Sequence, residues 1–407
     1  MRILLLAPQP LVPLEDGLNI RLRYFFRDLA ARHSIWLCHL QEEPGPSEPA
    51  PIPFVATTTV PIMGSRGRAF RHCRDYSIAM ERAIRRVLET AKIDVVVASS
   101  IYMVEYVRRL TPLPVVVDLV DAMSLLIYRD MKRASRPVDT LRLLRAWWGY
   151  RQYERRRLGA FRELVLVSEV DAAVVRKRAP CANVTVIPNG VDTDYFQPQP
   201  GDSGRTEVVF SGVIGFPPNA AAVTYFYAEV LPRVWKAYPD LRFTVVGKSP
   251  PDDLARMLRV DPRVTVTGFV PDIRPYLNRA AVYVAPMVSG SGIKNKILEA
   301  FAMAKPVVAT SVACDGLGGR PGETLMVADD PEGFADAVIT LLKDPGLRDR
   351  MGRQGRAHVL TGYSWRRQAE QFEALLERAS GRAPSAGPDR VEEREPSVGA
   401  SGRGAGR

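Results

Sequence analysis

Short apolar segments alternate with helical stretches along almost the whole chain, and this alternation constrains the fold more than any other feature. The apolar segments of the first half lie at residues 2–7, 34–39, 95–99, 115–119, 163–168 and 184–187. Those of the second half lie at residues 207–211, 242–247, 264–268, 281–285, 306–310 and 324–327. Continuous apolar strands joined through helices are typical of a parallel sheet that is covered on both faces.

A Pro-Asn-Gly turn at residues 188–190 interrupts the alternation, which then starts again. The 407 residues are enough for two domains with a core each. We therefore expect an α/β chain of two tandem, Rossmann-like, doubly wound domains that face each other across a cleft. The predicted limits are 1–187 and 188–362 for the domains, 363–379 for a C-terminal helix that packs back on the first domain, and 380–407 for a disordered tail rich in Ser, Gly, Pro and charge.

The composition is that of a globular protein without a membrane span. The longest apolar runs are far shorter than the ~20 residues that cross a bilayer, and Pro8, Pro10 and Pro13 follow the first run where a signal peptide would continue. We expect a cytoplasmic protein. The four cysteines have no short spacing, so neither a disulfide framework nor a zinc site is predicted. Residues 41–53 hold five prolines and are expected to form a surface loop.

The net charge of +11 calls for an anionic partner, and much of the excess lies between residues 129 and 162. This basic run also holds Trp147, Trp148, Tyr150 and Tyr153. One interpretation is a helical surface that docks on anionic lipid headgroups, where each basic residue contributes ~1 kcal/mol. The other is a solvated helix with its tryptophans in the core; both remain open. No nucleic-acid-binding motif is present, so no nucleic-acid partner is expected.

Residues 289–304, SGSGIKNKILEAFAMA, form the strongest candidate for a site. A glycine-bearing turn with Lys294 and Lys296 follows an apolar strand and runs into an apolar helix, which gathers N–H groups, ammonium groups and a helix N-terminus around one point. Such a point favours a phosphate. Glu299 lies about 7 Å along the helix axis from Lys294, which suits an acid that accepts hydrogen bonds from a sugar hydroxyl. The pattern predicts a nucleotide diphosphate site.

Three strand ends of the second domain finish in glycine: Gly212, Gly247 (followed by Lys248) and Gly268. Together they predict a floor where the backbone comes close to a ligand. In the first domain, Gly17 lies in a loop before a helix that Asn19 or a neighbour would cap. It either approaches a ligand phosphate or merely serves a turn.

Asp118 and Asp121 lie at and just beyond the end of the strand in PVVVDLVDAMS. Carboxylates at that place are expected to point into the ligand crevice. Asp121 then orients or deprotonates an acceptor hydroxyl. The alternative, which stays open, is that it caps the helix that begins at Met123.

Four motifs carry a family resemblance: VIPNGVDTDYF at 186–196, FSGVIGFPPNAAAVTYF at 210–226, VTGFVPDIRPYL at 266–277 and SGSGIKNKILEAFAMAKPVVATSVACDGL at 289–317. With these the chain resembles the retaining GT-B glycosyltransferases of family 4 over residues 1–375. Within that family it looks most like the sugar transferases of bacterial exopolysaccharide and PEP-CTERM systems.

The resemblance implies a role for each residue of the candidate site. Glu299 binds the donor ribose, and Gly268, Phe269 and Val270 contact the base through main-chain groups. The diphosphate and donor sugar are held by residues of one turn, namely Gly292, Ile293, Lys294, Asn295 and Lys296. Gly17 faces the β-phosphate, while Gly212 and Lys248 complete the donor site. The predicted catalytic residues are Asp121, Lys296 and Glu299.

Three departures from the family pattern limit how far these residue roles apply to this chain. Ser291 stands where the first of two glutamates is expected, GFPPNA replaces an expected arginine and lysine, and Val120 replaces a histidine. The available cations are then Lys248, Lys294 and Lys296. No cofactor or catalytic metal is expected, because the histidines lack metal-ligand spacing and the Asp192-Thr193-Asp194 pair fits turn chemistry better than a divalent site.

The predicted function is that of a retaining, metal-independent glycosyltransferase in cell-envelope or exopolysaccharide synthesis. Its predicted partners are a nucleotide-sugar donor, a saccharide acceptor carried on a lipid, and an anionic membrane surface on the inner face of the cell membrane. A GT-B-shaped nucleotide-sugar epimerase and a non-catalytic family member remain as alternatives.

Overall fold

The structure is a computed structural model that describes residues 1–12, 17–41, 52–61, 76–108, 110, 112–132, 134, 136–199, 206–290 and 292–382. The predicted tail lies outside the described residues beyond residue 382. Ser291 and most of the predicted proline-rich loop lie outside them as well.

The first sheet consists, within the described residues, of seven parallel strands in the order β3-β2-β1-β4-β5-β6-β7. They are β1 (Arg2–Ala7), β2 (Ser34–Gln41), β3 (Ala56–Pro61), β4 (Val95–Ser99), β5 (Val115–Val120), β6 (Glu163–Leu166) and β7 (Asn183–Val186). The helices around it are α1 (Gly17–Ala30), α2 (Ile78–Thr90), α3 (Val104–Val107), α4 (Met123–Met131), α5 (Pro137–Arg157) and α6 (Glu169–Arg176).

The second sheet consists, in the same described part of the chain, of six parallel strands in the order β10-β9-β8-β11-β12-β13. They are β8 (Glu207–Ser211), β9 (Arg242–Val246), β10 (Val264–Val266), β11 (Val282–Ala285), β12 (Val307–Ala309) and β13 (Met326–Val327). Its helices are α7 (Pro217–Tyr225), α8 (Leu231–Ala237), α9 (Asp252–Leu258), α10 (Arg274–Arg279), α11 (Asn295–Ala302), α12 (Ser311–Cys314), α13 (Pro331–Lys343) and α14 (Pro345–Gly362).

The predicted fold of two doubly wound α/β units is therefore confirmed, and the predicted strands differ from the observed ones only at their ends. Among the described strands, β3, with the sequence ATTTVP, was not predicted. It lies at the edge of the sheet and is mostly exposed. An edge strand has no need of the apolar run that marked the others.

The last helix, α15 (Trp365–Ala379), packs on α1 of the first domain. Trp365 stacks on Tyr24 with ring centroids 5.0 Å apart, and Phe372 stacks on Phe25 at 4.9 Å. The carboxylate of Glu373 accepts hydrogen bonds from Arg32. Thus the chain passes between the sheets twice, once after β7 and once before α15.

The two crossings lie side by side. The Val191 N–H donates to the Tyr363 carbonyl at 2.7 Å, and the Trp365 N–H donates back to the Val191 carbonyl at 3.4 Å. Gly190 is packed so closely against Trp365 that an added Cβ would lie 2.7 Å from the Trp365 nitrogen. The crossings form a single two-stranded hinge.

Arg21 anchors this hinge from α1 with a side chain that is fully buried. Its guanidinium is paired with the Asp118 carboxylate at 2.8 Å and donates to the Ile187 carbonyl at 2.9 Å and to Asn189 Oδ1 at 3.2 Å. The expectation that Asp118 points into the ligand crevice was therefore wrong. Removing either member of the pair would leave an uncompensated buried charge, so Asp118 has a structural role.

Candidate functional site

The turn before α11 carries Lys294, which lies at the N-cap of the helix and is buried. Its Nζ donates to the Gly292 carbonyl at 2.8 Å. Burial lowers the pKa of Lys294 to about 8, against the opposing effect of the Asp121 and Asp315 carboxylates. Gly292 has φ +63, a left-handed conformation that glycine adopts without strain. The predicted lysine-bearing turn thus lies at the N-terminus of a helix.

Lys296 lies on the first turn of α11 and points towards the end of β8. Its Nζ donates to Asn219 Oδ1 at 2.6 Å and lies 4.2 Å from the centre of the Phe210 ring. A Cβ added at Gly212 would lie 2.8 Å from this Nζ, so glycine makes room for the lysine. Burial lowers the pKa of Lys296 to about 7, with Glu299 acting in the opposite direction.

Glu299 lies one turn further along α11. Burial raises the pKa of its carboxyl to about 7, while the neighbouring Lys296 ammonium lowers it. Burial raises the pKa of the nearby Tyr283 hydroxyl, and the Glu299 charge adds to that rise. The hydroxyl forms a hydrogen bond with Ser211 Oγ at 2.9 Å. Burial thus shifts the pKa of Lys296 downwards and that of Glu299 upwards, while each charge acts against the shift of the other.

Of the three strand-end glycines that were predicted to face a ligand, Gly247 is required by the packing of the protein's own backbone. A Cβ at Gly247 would lie 1.7 Å from the Gly212 carbonyl oxygen, so this glycine is required by the backbone next to it. Space remains open around Gly268, where an added Cβ meets nothing within 4 Å. Phe269 is 75% exposed, and Val270 packs partly against the core. Lys248 is half-buried at the end of β9.

Ile293 and Asn295 occupy different surroundings, although the sequence places them together. The Ile293 side chain is part of the core, which leaves only its main chain to face a ligand. The Asn295 amide oxygen accepts from Asn189 Nδ2 at 3.1 Å, which joins α11 to the hinge. Gly17 lies opposite, since a Cβ there would be 3.8 Å from Asn295 Nδ2.

Gly17 is the first residue of α1 and does not lie in a loop ahead of it. The predicted capping role of Asn19 was wrong, because Asn19 is buried inside the helix and its Oδ1 accepts from Gln9 Nε2 at 3.0 Å. The backbone of Gly17 nevertheless approaches Asn295 of α11; that it faces a β-phosphate stays a prediction.

Asp121 faces this turn from the first domain. A Cβ added at Gly292 would lie 2.4 Å from Asp121 Oδ1, so the carboxylate rests against the Gly292 backbone. Burial, reinforced by the nearby Asp171 carboxylate, raises the pKa of Asp121 to about 7, while Lys294 acts against the rise. A carboxyl at this pKa can hold or accept a proton near neutral pH.

The backbone ahead of Asp121 is strained. Val120 has φ +67, and the Asp121 N–H donates to the Leu119 carbonyl at 2.9 Å, which closes a three-residue turn. The left-handed region is unfavourable for a β-branched residue, and such strain persists only where the surroundings hold it in place. Here the Val167 N–H fixes the Val120 carbonyl at 2.9 Å. The turn aims Asp121 at the opposite domain.

The alternative that Asp121 caps α4 was wrong, since Ala122 is the N-cap and provides no side-chain bond. Two other acids hold the start of the helix. Glu154 of α5 accepts from the Ser124 N–H at 3.0 Å, and Asp171 of α6 accepts from the Ala122 N–H at 2.9 Å. Asp121 is thereby left to face the cleft.

Arg129 was not among the predicted site residues, yet it extends from the last turn of α4 to the second domain. Its Nη1 donates to the Gly290 carbonyl at 3.3 Å, and its Nη2 is paired with Asp315 Oδ2 at 2.5 Å. No signal in the sequence distinguished it from the other arginines of the basic run.

Asp192, the first acid of the Asp192-Thr193-Asp194 pair, is engaged by groups of the protein. Asp192 Oδ1 accepts the N–H groups of Asp194 and Tyr195, and its Oδ2 accepts from the Tyr24 hydroxyl. This is the turn chemistry that the sequence favoured for the Asp192-Thr193-Asp194 pair. Across the described residues, no group of three His, Cys, Asp or Glu side chains is placed to hold a metal ion.

The basic run 129–162 shows features of both interpretations. Trp147 packs against Tyr128, and Tyr153 is buried, whereas Trp148 is 58% exposed. Among the described helices, none is long and apolar enough to cross a membrane.

Comparison with known proteins relates both halves of the chain to one kind of enzyme. Residues 16–195 match the model of Glycosyltransferase Family 4, and residues 205–344 match that of Glycosyl transferases group 1. The phosphatidyl-myo-inositol mannosyltransferase of Mycolicibacterium smegmatis is 31% identical over 48% of this chain and 52% of its own length. The D-inositol 3-phosphate glycosyltransferase of Kineococcus radiotolerans is 32% identical over 51% of this chain and 55% of its own. The chain spans about half the length of these curated relatives.

Solved structures share the fold at low sequence identity. A sucrose-phosphate synthase from Thermosynechococcus elongatus has a TM-score of 0.69 at 16% identity, covering 93% of this chain and 98% of that one. HepE of Anabaena, solved with UDP and glucose, has a TM-score of 0.67 at 16% identity, covering 92% and 99%. With both halves matched by glycosyltransferase models and the whole fold shared with these structures, the chain belongs to the group 1, family 4 glycosyltransferases and has their GT-B fold.

Proposed function

We propose that this glycosyltransferase moves a sugar, with retention of configuration, from a nucleotide diphosphate sugar to a saccharide acceptor carried on a lipid. The observation that carries the proposal is that Lys294 and Lys296 lie at the start of α11 while Gly292, in the turn before them, contacts Asp121 of the opposite domain. Two ammonium groups and a helix N-terminus attract a diphosphate, and the acid offers an acceptor to a sugar hydroxyl beside that turn.

A UDP-sugar is the donor that the comparisons favour. HepE of Anabaena has been solved with UDP-glucose as well as with UDP and glucose. In this chain the open space at Gly268 accommodates a base, and Glu299 offers an acceptor for ribose hydroxyls.

The transfer breaks the bond between the sugar C1 and the phosphate oxygen while the acceptor oxygen bonds to C1 from the same face. The electron pair of the broken bond goes to the diphosphate, which takes up the acceptor proton. Lys294 and Lys296 stabilise the charge that grows on the leaving phosphate. Asp121 orients a sugar hydroxyl. In this scheme the missing histidine at Val120 removes no essential proton acceptor.

The cations in the cleft lead us to propose that the transfer needs no metal ion. Treatment with EDTA is expected to leave turnover unchanged. Loss of turnover that manganese restores would contradict this part of the proposal.

The acceptor side is proposed to dock on the inner face of the cell membrane through α5. Val138, Leu141, Leu144 and Trp148 are exposed there by 77%, 57%, 42% and 58%. They lie at helical spacing beside the exposed arginines 142, 145 and 155. An apolar strip flanked by arginines fits the boundary between anionic headgroups and acyl chains. The PEP-CTERM resemblance would make the product an exopolysaccharide.

Vesicle flotation tests the docking. Anionic vesicles of phosphatidylglycerol are expected to retain the wild type more than neutral phosphatidylcholine vesicles, and Trp148→Glu should lose that retention. Val260→Glu is the matched control, because Val260 is 80% exposed in the second domain. Equal flotation of wild type and Trp148→Glu would refute a role for α5.

A transfer assay tests the function itself. The protein is first screened by thermal shift with UDP, GDP and ADP, and then incubated with the matching radiolabelled sugars, with and without a lipid extract. Labelled lipid product in which the anomeric configuration of the donor is kept supports the proposal. An isomerised nucleotide sugar formed without acceptor would favour the epimerase, and no turnover with any donor would favour a non-catalytic protein.

A further inference from the structure

The segment that follows β8 brings no cation of its own to the proposed donor site, so the cation at this strand end is Lys296 of α11. Residues 212–220, GVIGFPPNA, contain no lysine or arginine. The lysines that face the turn from α11 are buried enough for their pKa values to fall to about 8 for Lys294 and about 7 for Lys296. A group that stays positive at every physiological pH would therefore matter more here than in a site with exposed lysines. Arginine is such a group, because its guanidinium does not deprotonate in proteins.

Arg129 of the first domain places a guanidinium at this turn. Its Nη1 donates to the Gly290 carbonyl at 3.3 Å. Gly290 lies two residues before Gly292. The Gly292 carbonyl accepts a hydrogen bond from Lys294 Nζ, and the Gly292 backbone contacts the Asp121 carboxylate. The same turn is thus contacted by Arg129 and Asp121 from one domain and by Lys294 from the other. The Arg129 guanidinium is also close enough to Lys294 to add to the lowering of the Lys294 pKa, which burial causes in the first place.

The second contact of Arg129 is one that a ligand can replace. Its ion pair with Asp315, at 2.5 Å, is partly exposed, with 22% of the arginine and 28% of the aspartate side chain accessible. Partly exposed ion pairs hold their members weakly. A phosphate offers the planar guanidinium two oxygens in a geometry that matches its fork and more negative charge than one carboxylate.

We propose that Arg129 is a phosphate-binding residue of the donor site, which exchanges Asp315 for the sugar-bearing phosphate when the nucleotide sugar binds. The inference rests on the proposed function, since it needs a nucleotide diphosphate in the cleft. The first domain then contributes a permanent positive charge to the leaving group, and donor binding ties the two domains together through one side chain.

Calorimetry with a nucleoside diphosphate and the matching monophosphate tests the proposal in the full-length protein. The base is the one that wild type binds best among UDP, GDP and ADP. Arg129→Met keeps an unbranched apolar stem and removes the guanidinium with its charge. It is expected to weaken diphosphate binding by about 10- to 100-fold, the range of a charge-assisted hydrogen bond, and to leave monophosphate binding within about twofold. Arg129→Lys should fall between wild type and Arg129→Met.

Asp315→Asn is the matched control, because it removes the competing partner without touching the guanidinium. It is expected to bind the diphosphate as well as wild type or better. An unchanged diphosphate affinity in Arg129→Met overturns the inference. So does an equal loss for the monophosphate and the diphosphate, which would show that Arg129 only holds the domains together. If wild type binds no nucleotide, the proposed function fails as well, whereas a failure confined to the Arg129 variants leaves it intact.

Discussion

The substitution Gly292→Ala probes the contact between the two domains directly. The new Cβ would lie 2.4 Å from Asp121 Oδ1 and 3.3 Å from its Cγ, where ordinary contacts begin at 3.4 Å. The Asp121 carboxylate must therefore rotate away, its strained turn must give way, or one domain must move back by about 1 Å. Overpacking of this kind disfavours the contact between the domains by up to about 1–3 kcal/mol, which corresponds to at most roughly a 5- to 150-fold loss of donor affinity.

A second effect of Gly292→Ala has to be separated from the first. At φ +63 alanine also strains its own backbone, by about 1–2 kcal/mol whether or not the Asp121 carboxylate is present. Calorimetry with a nucleoside diphosphate is therefore done on four proteins: wild type, Gly292→Ala, Asp121→Ala and the double variant. If the carboxylate contact is the cause, Gly292→Ala should weaken binding much less in the Asp121→Ala background. An equal loss in both backgrounds would refute the steric argument.

Three further predictions concern α11 and its charges. Glu299→Ala is expected to weaken diphosphate binding by about 1.5–3 kcal/mol, the range for a hydrogen bond to a charged group. It should also abolish any preference for the ribonucleotide over the 2′-deoxyribonucleotide, and a preference that survives would contradict a ribose contact of Glu299. Lys296→Ala should lower turnover by about 100-fold or more, as for other groups that stabilise a leaving charge, and affect donor affinity far less. Lys343→Ala, an exposed lysine of α13, is its control, and equal kinetics of the two variants would contradict the assignment. Because burial holds the pKa values of Lys294 and Lys296 at about 8 and about 7, a bound phosphate should raise both. Donor affinity should then fall as pH rises through that range, with proton uptake at pH ~8.5, and binding enthalpies independent of the buffer's ionisation enthalpy would contradict this.

The fold could be predicted from the sequence because each inner strand is a continuous apolar run, and β3 was missed because an edge strand has no such run. The Lys294, Lys296 and Glu299 cluster could be predicted because it is local, within a single turn and helix. Contacts between residues that lie far apart in the sequence could not be predicted in this way. Asp118 and Asp121 look alike in the sequence, and only Arg21, 97 residues away from Asp118, separates a structural acid from one that faces the cleft. Glu154 and Arg129 were hidden for the same reason.

The two-stranded hinge has a consequence for how this enzyme can be divided. The first domain is not a continuous piece of the chain, because α15 covers Tyr24 and Phe25 of α1 only after the chain has passed through the second domain. A fragment ending at residue 187 would leave these aromatic rings exposed to water and prone to aggregate. The second domain is instead an insertion between β7 and α15, tethered at both ends by two connections that are hydrogen-bonded to each other at Val191 and Trp365.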